Sequence, residues 1–311
     1  MTDLTRRTVL AAAPAAVTTG AGVSIEVATA SPLQLLEFPT PESHVCAFIK
    51  ILASLEDATV FHMYKGTMEA LLPGRAPVKL VDSTTVIRRQ VEVKPDGHHI
   101  SIWEATVYHR PGHIEPLESF ENPLNGRMVR PFHQREGRGH SLWTNEGSKF
   151  RRADGTWVSS NRTGKPYALE WTQAGERIWT SRYNAGVYVK HPLDSENWPL
   201  EFAGPDLLYS EKTTSNGLVH ELADPSIVNA SATYSLNQTM LWWPWLLMGQ
   251  TPGFLVWNTN GVKLSSGDAL SVADRKLIEK IHPTIFDSGA PWEGHVNLWT
   301  DYPKMREPVP A

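Results

Sequence analysis

The feature that most restricts this chain is a succession of β-hairpins, each closed by its own turn residues. TVIRRQVEV (85–93) runs through Pro95-Asp96-Gly97 into HHISIWEATVYHR (98–110). FENPLNGRMVRPF (120–132) reverses at Asn122-Pro123 and Asn125-Gly126, SKFRRADGTWVSS (148–160) at Asp154-Gly155, and YALEWTQAGERIWTSRYNAGVYV (167–189) at Ala174-Gly175. Closely spaced strands with turn-forming residues between them predict antiparallel pairing. No strand–helix alternation supports a parallel sheet. The pattern predicts a mainly β chain, a single antiparallel, barrel-like (lipocalin- or calycin-like) domain with a few peripheral helices. A sandwich is the other arrangement open to such strands.

Two segments have helical spacing. ESHVCAFIKILASLE (42–56) is apolar at Val45, Phe48, Ile49, Leu52 and Leu55, with Ser43 as candidate cap. ALSVADRKLIEKIHP (269–283) repeats the pattern and stops at Pro283. Residues 224–240 fit neither template.

The N-terminus, MTDLTRRTVLAAAPAAVTTGAG, sets Arg6 and Arg7 before a weak, Ala-rich apolar run. That run is too short and small-sided for a membrane anchor, which needs about 20 strongly apolar residues. A basic start, a modest apolar centre and the triplet Ala28-Thr29-Ala30 are the parts of a cleavable export signal. The paired arginines resemble the twin-arginine class, which addresses already folded cargo to the export machinery. The expected organisation is a signal over 1–30 and one β-rich domain over 31–311, exported to the periplasm or beyond.

A net charge of -4 offers no general attraction to nucleic acid or anionic lipid. No later apolar run reaches spanning length, so no membrane anchor is expected after cleavage. Cys46 is the single cysteine, which excludes an internal disulfide and suits a protein folded before export. Of the twelve tryptophans, six lie at or after Trp242. Such a cluster serves a core, or walls a cavity for a flat organic ligand.

Motifs for cofactor and metal chemistry fail one by one. Gly137-Arg138-Gly139 is followed by HSL rather than a third glycine, and no phosphate-binding P-loop is present. GHSLW lacks the second glycine of a nucleophile elbow. HELAD lacks the second histidine of a zinc-protease helix. Pro111-Gly112 breaks any helix that would join His109 to His113, and His98 and His99 point to opposite sides of a strand. No metal and no cofactor is expected.

Polar groups on strands remain. Alternation puts Ile100, Ile102, Glu104, Thr106 and Tyr108 on one face, and Trp103, Ala105, Val107 and His109 on the other. If the first face is the interior, the Glu104 carboxyl is desolvated and suited to acid–base work; if it faces out, Glu104 is an ordinary surface charge. His133, beside Phe132, is a further candidate.

Three stretches also carry a family resemblance. They are YHRPGHIEPLESFENPLNGRMV, the Trp-rich NQTMLWWPWLLMGQTPGFLVWNTNGVKL with its PWxxMGxxPG core, and the ending APWEGHVNLWTDYPKMREP with Trp299-Thr300-x-Tyr302. Together they resemble an exported bacterial and fungal family of about 300 residues, catalogued as a domain of unknown function. The resemblance implies one mostly antiparallel domain and no particular activity. It directs attention to Tyr108, Asn122, Trp243, Trp245 and Met248.

The functional expectation is an exported, cofactor-independent lyase, isomerase or hydrolase acting on an apolar or aromatic small molecule in a β-barrel cavity. Glu104, Tyr108 and His133 would carry the chemistry, and Asn122, Trp243, Trp245 and Met248 would bind the substrate. A non-catalytic carrier with the same cavity is the alternative, and a protein whose tryptophans form a partner interface is a third.

Overall fold

In the computed structural model, residues 35–152, 155–160, 165–290 and 296–310 are described. The expected signal over 1–30, including Arg6 and Arg7, lies outside them. The chain begins with helix α1 (Pro41–Leu52), followed by β1 (Ala58–Leu71), β2 (Val78–Lys94) and β3 (Gly97–His109). A small hairpin, β4 (Phe120–Glu121) with β5 (Met128–Val129), precedes β6 (Gln134–Thr144), β7 (Gly147–Arg151) and β8 (Trp157–Ser159). Then come β9 (Trp171–Ala174), β10 (Arg177–Lys190), β11 (Asp206–Leu218), α2 (Val219–Ala223), β12 (Thr233–Met240) and β13 (Phe254–Leu264). Helices α3 (Val272–Glu279) and α4 (Leu298–Met305) close the chain.

The fold is mainly β, with few helices, and all four sequence-predicted hairpins form. Lys94 pairs with Gly97, Phe120 with Val129, Arg151 with Trp157, and Ala174 with Arg177. Eleven strands make one antiparallel sheet in the order β8-β7-β6-β3-β2-β1-β13-β12-β11-β10-β9. The ambiguous 224–240 segment supplies β12, and the first long strand pairs with the last, Phe61 opposite Leu264. Residues Leu35–Ala311 form one compact unit.

Helix α1 reveals how the sheet bends. Thr40, not Ser43, is its N-cap; Ser43 sits three residues on and completes the reciprocal capping box. The Phe48 ring lies 5.2 Å from the Trp143 ring on β6 and 4.6 Å from the Arg182 guanidinium on β10. In a flat sheet those strands, seven ladder steps apart, would stand about 34 Å from each other. One side chain touches both because the sheet curls around the helix. The ladder itself stays open among the described residues, with β8 and β9 as its edges.

The register fixes which residues share the inner, helix-facing side. It carries His62, Tyr64 and Met68 of β1, Ser83, Thr85 and Arg89 of β2, Ile100, Glu104, Thr106 and Tyr108 of β3, and Trp257 and Lys263 of β13. Across the far strands the same side presents Tyr234, Gln238, Glu211, Thr213, Thr180 and Arg182. Gly261 is required here, since a Cβ would stand 2.5 Å from the Tyr64 ring laid across it. Two apolar ends bound this side. At one, α1 packs Val45, Phe48 and Ile49 on Val91, Ile100 and Trp143. Lys263 pins the end of that helix, donating to the carbonyls of Lys50, Ala53 and Ala230 at 2.6–3.0 Å. At the other, Met68, Tyr108, Trp242, Trp243, Trp245 and Trp257 pack together.

The outer side of β1–β3 is also covered. Phe61, Val86, Ala105 and Val107 pack under α3 with Leu277 and Ile278. Arg88 lies over the Trp103 ring at 3.9 Å and donates to the carbonyls of Thr284, Asp287 and Ala290. Strand β3 is therefore buried on both faces.

Candidate active site on the inner face

Between the two apolar ends lies a belt of polar side chains. Glu104 is 2% exposed, and its Oε1 accepts a hydrogen bond from Thr106 Oγ1 at 3.2 Å. Thr106 has one proton to give, so in its 2.8 Å contact with Thr85 it is the acceptor. The hydroxyls thus run Thr85 to Thr106 to the Glu104 carboxylate, an ordered chain that can move a proton to or from that carboxyl.

One strand over, Arg89 is 8% exposed, and its Nε and Nη1 have no hydrogen-bond partner. It lies against the Tyr64 hydroxyl, whose pKa burial raises and the Arg89 charge draws back down. After burial itself, Arg89 is the next cause lowering His62, which is held neutral with Nε2 2.9 Å from the Leu52 carbonyl, and Lys263, lowered to about 7. Arg182 approaches from β10. Its side chain is reached by solvent, yet surrounding protein desolvates it and lowers its pKa. Glu211 is fully engaged: Tyr209 Oη and Gln238 Nε2 donate to Oε2, and Thr213 Oγ1 to Oε1. Two further hydroxyls of the belt, on Thr180 and Thr259, are buried without a partner.

The other expected site residues gather at the Trp-rich end. Tyr108 is completely buried; its hydroxyl accepts from Gln134 Nε2 at 2.6 Å and its ring contacts those of Trp243, Trp245 and Trp257. His133, just before β6, stacks on Tyr108 at 5.8 Å. Its Nδ1 accepts from the Tyr108 amide at 3.1 Å and it bonds the Leu117 carbonyl, so backbone groups engage the ring on both sides. Burial lowers its pKa to about 4. Glu104 stands four residues from Tyr108 along the strand, about 13 Å away. Sequence placed these three residues in one catalytic set; the fold joins Tyr108 to His133 and sets Glu104 apart.

Asn122 and Met248 meet for a structural reason. Leu247 has a left-handed backbone, φ 55°, costly for a branched side chain. Asn122 Nδ2 donates to the Leu246 carbonyl at 2.8 Å and contacts Met248 Sδ at 3.5 Å, while Asn125 Nδ2 donates to the carbonyls of Leu246 and Leu247. The Asn-Pro turn and the PWxxMG segment are therefore one knot. Trp243 and Trp245 are nearly inaccessible core.

The residues that sequence reasoning passed over are Arg89, Arg182, Tyr64 and Glu211. Arg88-Arg89 was the available signal: adjacent arginines inside an alternating strand send one cation to each face, and here both faces are buried. Among the described residues no group of three or more His, Cys, Asp or Glu is placed to hold a metal ion, and no helix is long and apolar enough to cross a membrane.

Comparison with known proteins finds a similarity over part of the chain and little else. A solved structure from Nitrosomonas europaea, described provisionally as AttH, aligns with 75% of this chain and 56% of its own at 12% identity, with a TM-score of 0.18. The chain thus spans just over half the length of that protein, at a similarity too low to argue from. No curated protein matches. Residues 166–298 match the model of a protein family of unknown function, DUF1838. That span takes in Arg182, Glu211 and the Trp-rich segment; the Asn-Pro turn and the Trp-Thr-x-Tyr ending lie outside it. Over residues 166–298, less than half of its length, the chain is similar to this family of unknown function.

Proposed function

We propose that the polar belt of the inner face is a small-molecule site, and that the protein is an exported enzyme using Glu104 as its acid–base group without a cofactor. The observation carrying this reading is the Thr85–Thr106–Glu104 chain, buried and directed along a face that also bears Arg89 and Arg182. A buried carboxyl with an ordered proton path beside fixed positive charge suits proton abstraction or elimination at a carbon next to an electron-withdrawing group. The curl of the sheet around α1, with the tryptophans at the other end of the inner face, supports this reading. The Tyr64 ring, laid across Gly261, offers apolar contact to the body of an organic substrate.

The test is an untargeted comparison. A metabolite extract of the producing cells is incubated with the wild-type protein and with Glu104→Gln. The enzyme reading expects at least one compound consumed by the wild type, at a rate lowered a hundredfold or more by the substitution. Equal consumption by both proteins removes Glu104 from the chemistry. A compound retained by both and consumed by neither makes the protein a carrier. Export rests on Arg6 and Arg7: with both changed to lysine, the precursor should remain uncleaved in the cytoplasm, and normal export of that variant would end the twin-arginine reading.

A further inference from the structure

Arginine cannot shed its proton in a protein, so a buried guanidinium needs anionic or hydrogen-bonding partners. Nearly all such groups in native folds have them, and each exception asks for an explanation. Arg88, Arg89's neighbour, comes close to the rule on the outer face: three carbonyls and an indole ring engage it, and Nε alone is left over. Arg89 does not: two of its nitrogens lack partners, and it sits in no ion pair among the described residues. Arg182 is held over Phe48 and likewise makes no ion pair there. The two cations repel each other across the curl of the sheet. Glu211, whose charge acts favourably on Arg182, makes no hydrogen bond to it and already accepts from three other donors.

We infer that Arg89 and Arg182 together take the carboxylate of an organic-acid ligand on the inner face, an inference that rests on the small-molecule reading above. The free N–H groups of Arg89 supply charge-assisted hydrogen bonds from within the wall. Arg182, open to solvent, meets the anion as it enters. Phe48 backs Arg182, and the Tyr64 hydroxyl stands beside Arg89. A carboxylate seated there carries its organic body toward the Glu104 side of the belt.

The test uses the whole protein and defined probes: acetate, hexanoate and benzoate, their neutral amides, inorganic phosphate, and chloride at matched ionic strength. The readouts are calorimetry and the guanidinium Nε–H resonance of Arg89, assigned by its loss in Arg89→Met. The expected result is saturable binding of the carboxylates with a shift of that resonance, and no response to amides or chloride. Arg182→Met, at a more open position, should weaken binding at least tenfold and keeps the test sound if Arg89→Met folds poorly. Resonance changes that merely follow ionic strength, amides binding as well as acids, phosphate binding more tightly than every acid, or carboxylate affinity unchanged in Arg182→Met would each overturn the inference. Glu104→Gln separates it from the proposed enzyme activity. If that variant still binds acids while turnover is unaffected by the substitution, the carboxylate site stands and the catalytic role of Glu104 falls. If turnover depends on Glu104 and no acid binds, the reverse holds.

Discussion

The two zones of the inner face, the Trp-rich end and the polar belt, treat their polar atoms in opposite ways. At the Trp-rich end Asn122, Asn125, Tyr108 and His133 all have partners, Trp242 Nε1 donates to the Thr251 carbonyl, and Trp257 Nε1 donates to Ser83. The Trp245 indole nitrogen is left over there, and at the margin of the cluster so are His191 Nε2, against Trp299, and Glu201 Oε2, near Tyr302. In the belt Arg89, Thr180 and Thr259 keep unpaired donors in buried positions. A region that satisfies itself is built for stability. A region that leaves strong donors idle gives up stability for something that arrives later.

This contrast can be broken by mutation. The largest effect belongs to Trp245→Ala, which should cost about 3–5 kcal/mol in denaturant unfolding, because the cavity left among Tyr108, Trp243 and Phe120 cannot collapse. A cost under about 1 kcal/mol would mean the ring lines open space rather than core.

Acid should act next. His133 is lowered to about 4 in the fold, so between that value and its ordinary 6.5 the unfolded chain binds the extra proton. Stability is complete above the ordinary value and falls as pH drops toward the folded one, by up to about 3 kcal/mol. In His133→Gln this slope should largely vanish from unfolding curves taken across that range; an unchanged slope would assign it to other groups.

Asn122→Ala should cost about 1–3 kcal/mol by stranding the Leu124 amide and leaving the Leu246 carbonyl only its longer bond from Asn125, and should loosen the left-handed turn at Leu247 as seen in faster amide exchange there. The smallest change is expected in the belt. Arg89→Met should leave the thermal midpoint of the unliganded protein unchanged or slightly raised, since it removes an uncompensated buried charge. A loss like that of Trp245→Ala would make Arg89 part of the scaffold and erase the distinction between the zones.

The hairpins were legible because their turns name themselves: Pro95-Asp96-Gly97 and Asn125-Gly126 need backbone shapes that few other residues adopt. The period of two also placed Glu104, Thr106 and Tyr108 on one face, as the register has it. Alternation could not say which face is inner, because β3 is covered on both sides by segments distant in sequence, α1 on one and α3 on the other. The aromatic and amide residues drew attention as chemistry and serve as packing, since Trp, Asn and Met do both jobs with the same groups. Arg89 and Arg182 stand in no motif that marks them. Only the long-range pairing that brings β2 and β10 around one helix makes them neighbours.

Helix α1 has a consequence for how the chain becomes a protein. It is made first, yet the cation that ties down its end comes 213 residues later, and Tyr234, whose hydroxyl donates to the Ile51 carbonyl, 183 residues later. Such long sequence separations make for slow folding, because chain entropy is lost well before the contacts that reward it. During synthesis the apolar side of α1 meets Val91, Ile100 and Trp143 early, while the ties at its end wait for Tyr234 and Lys263. The helix is therefore covered in two stages, first by β2, β3 and β6 and then by β12 and β13.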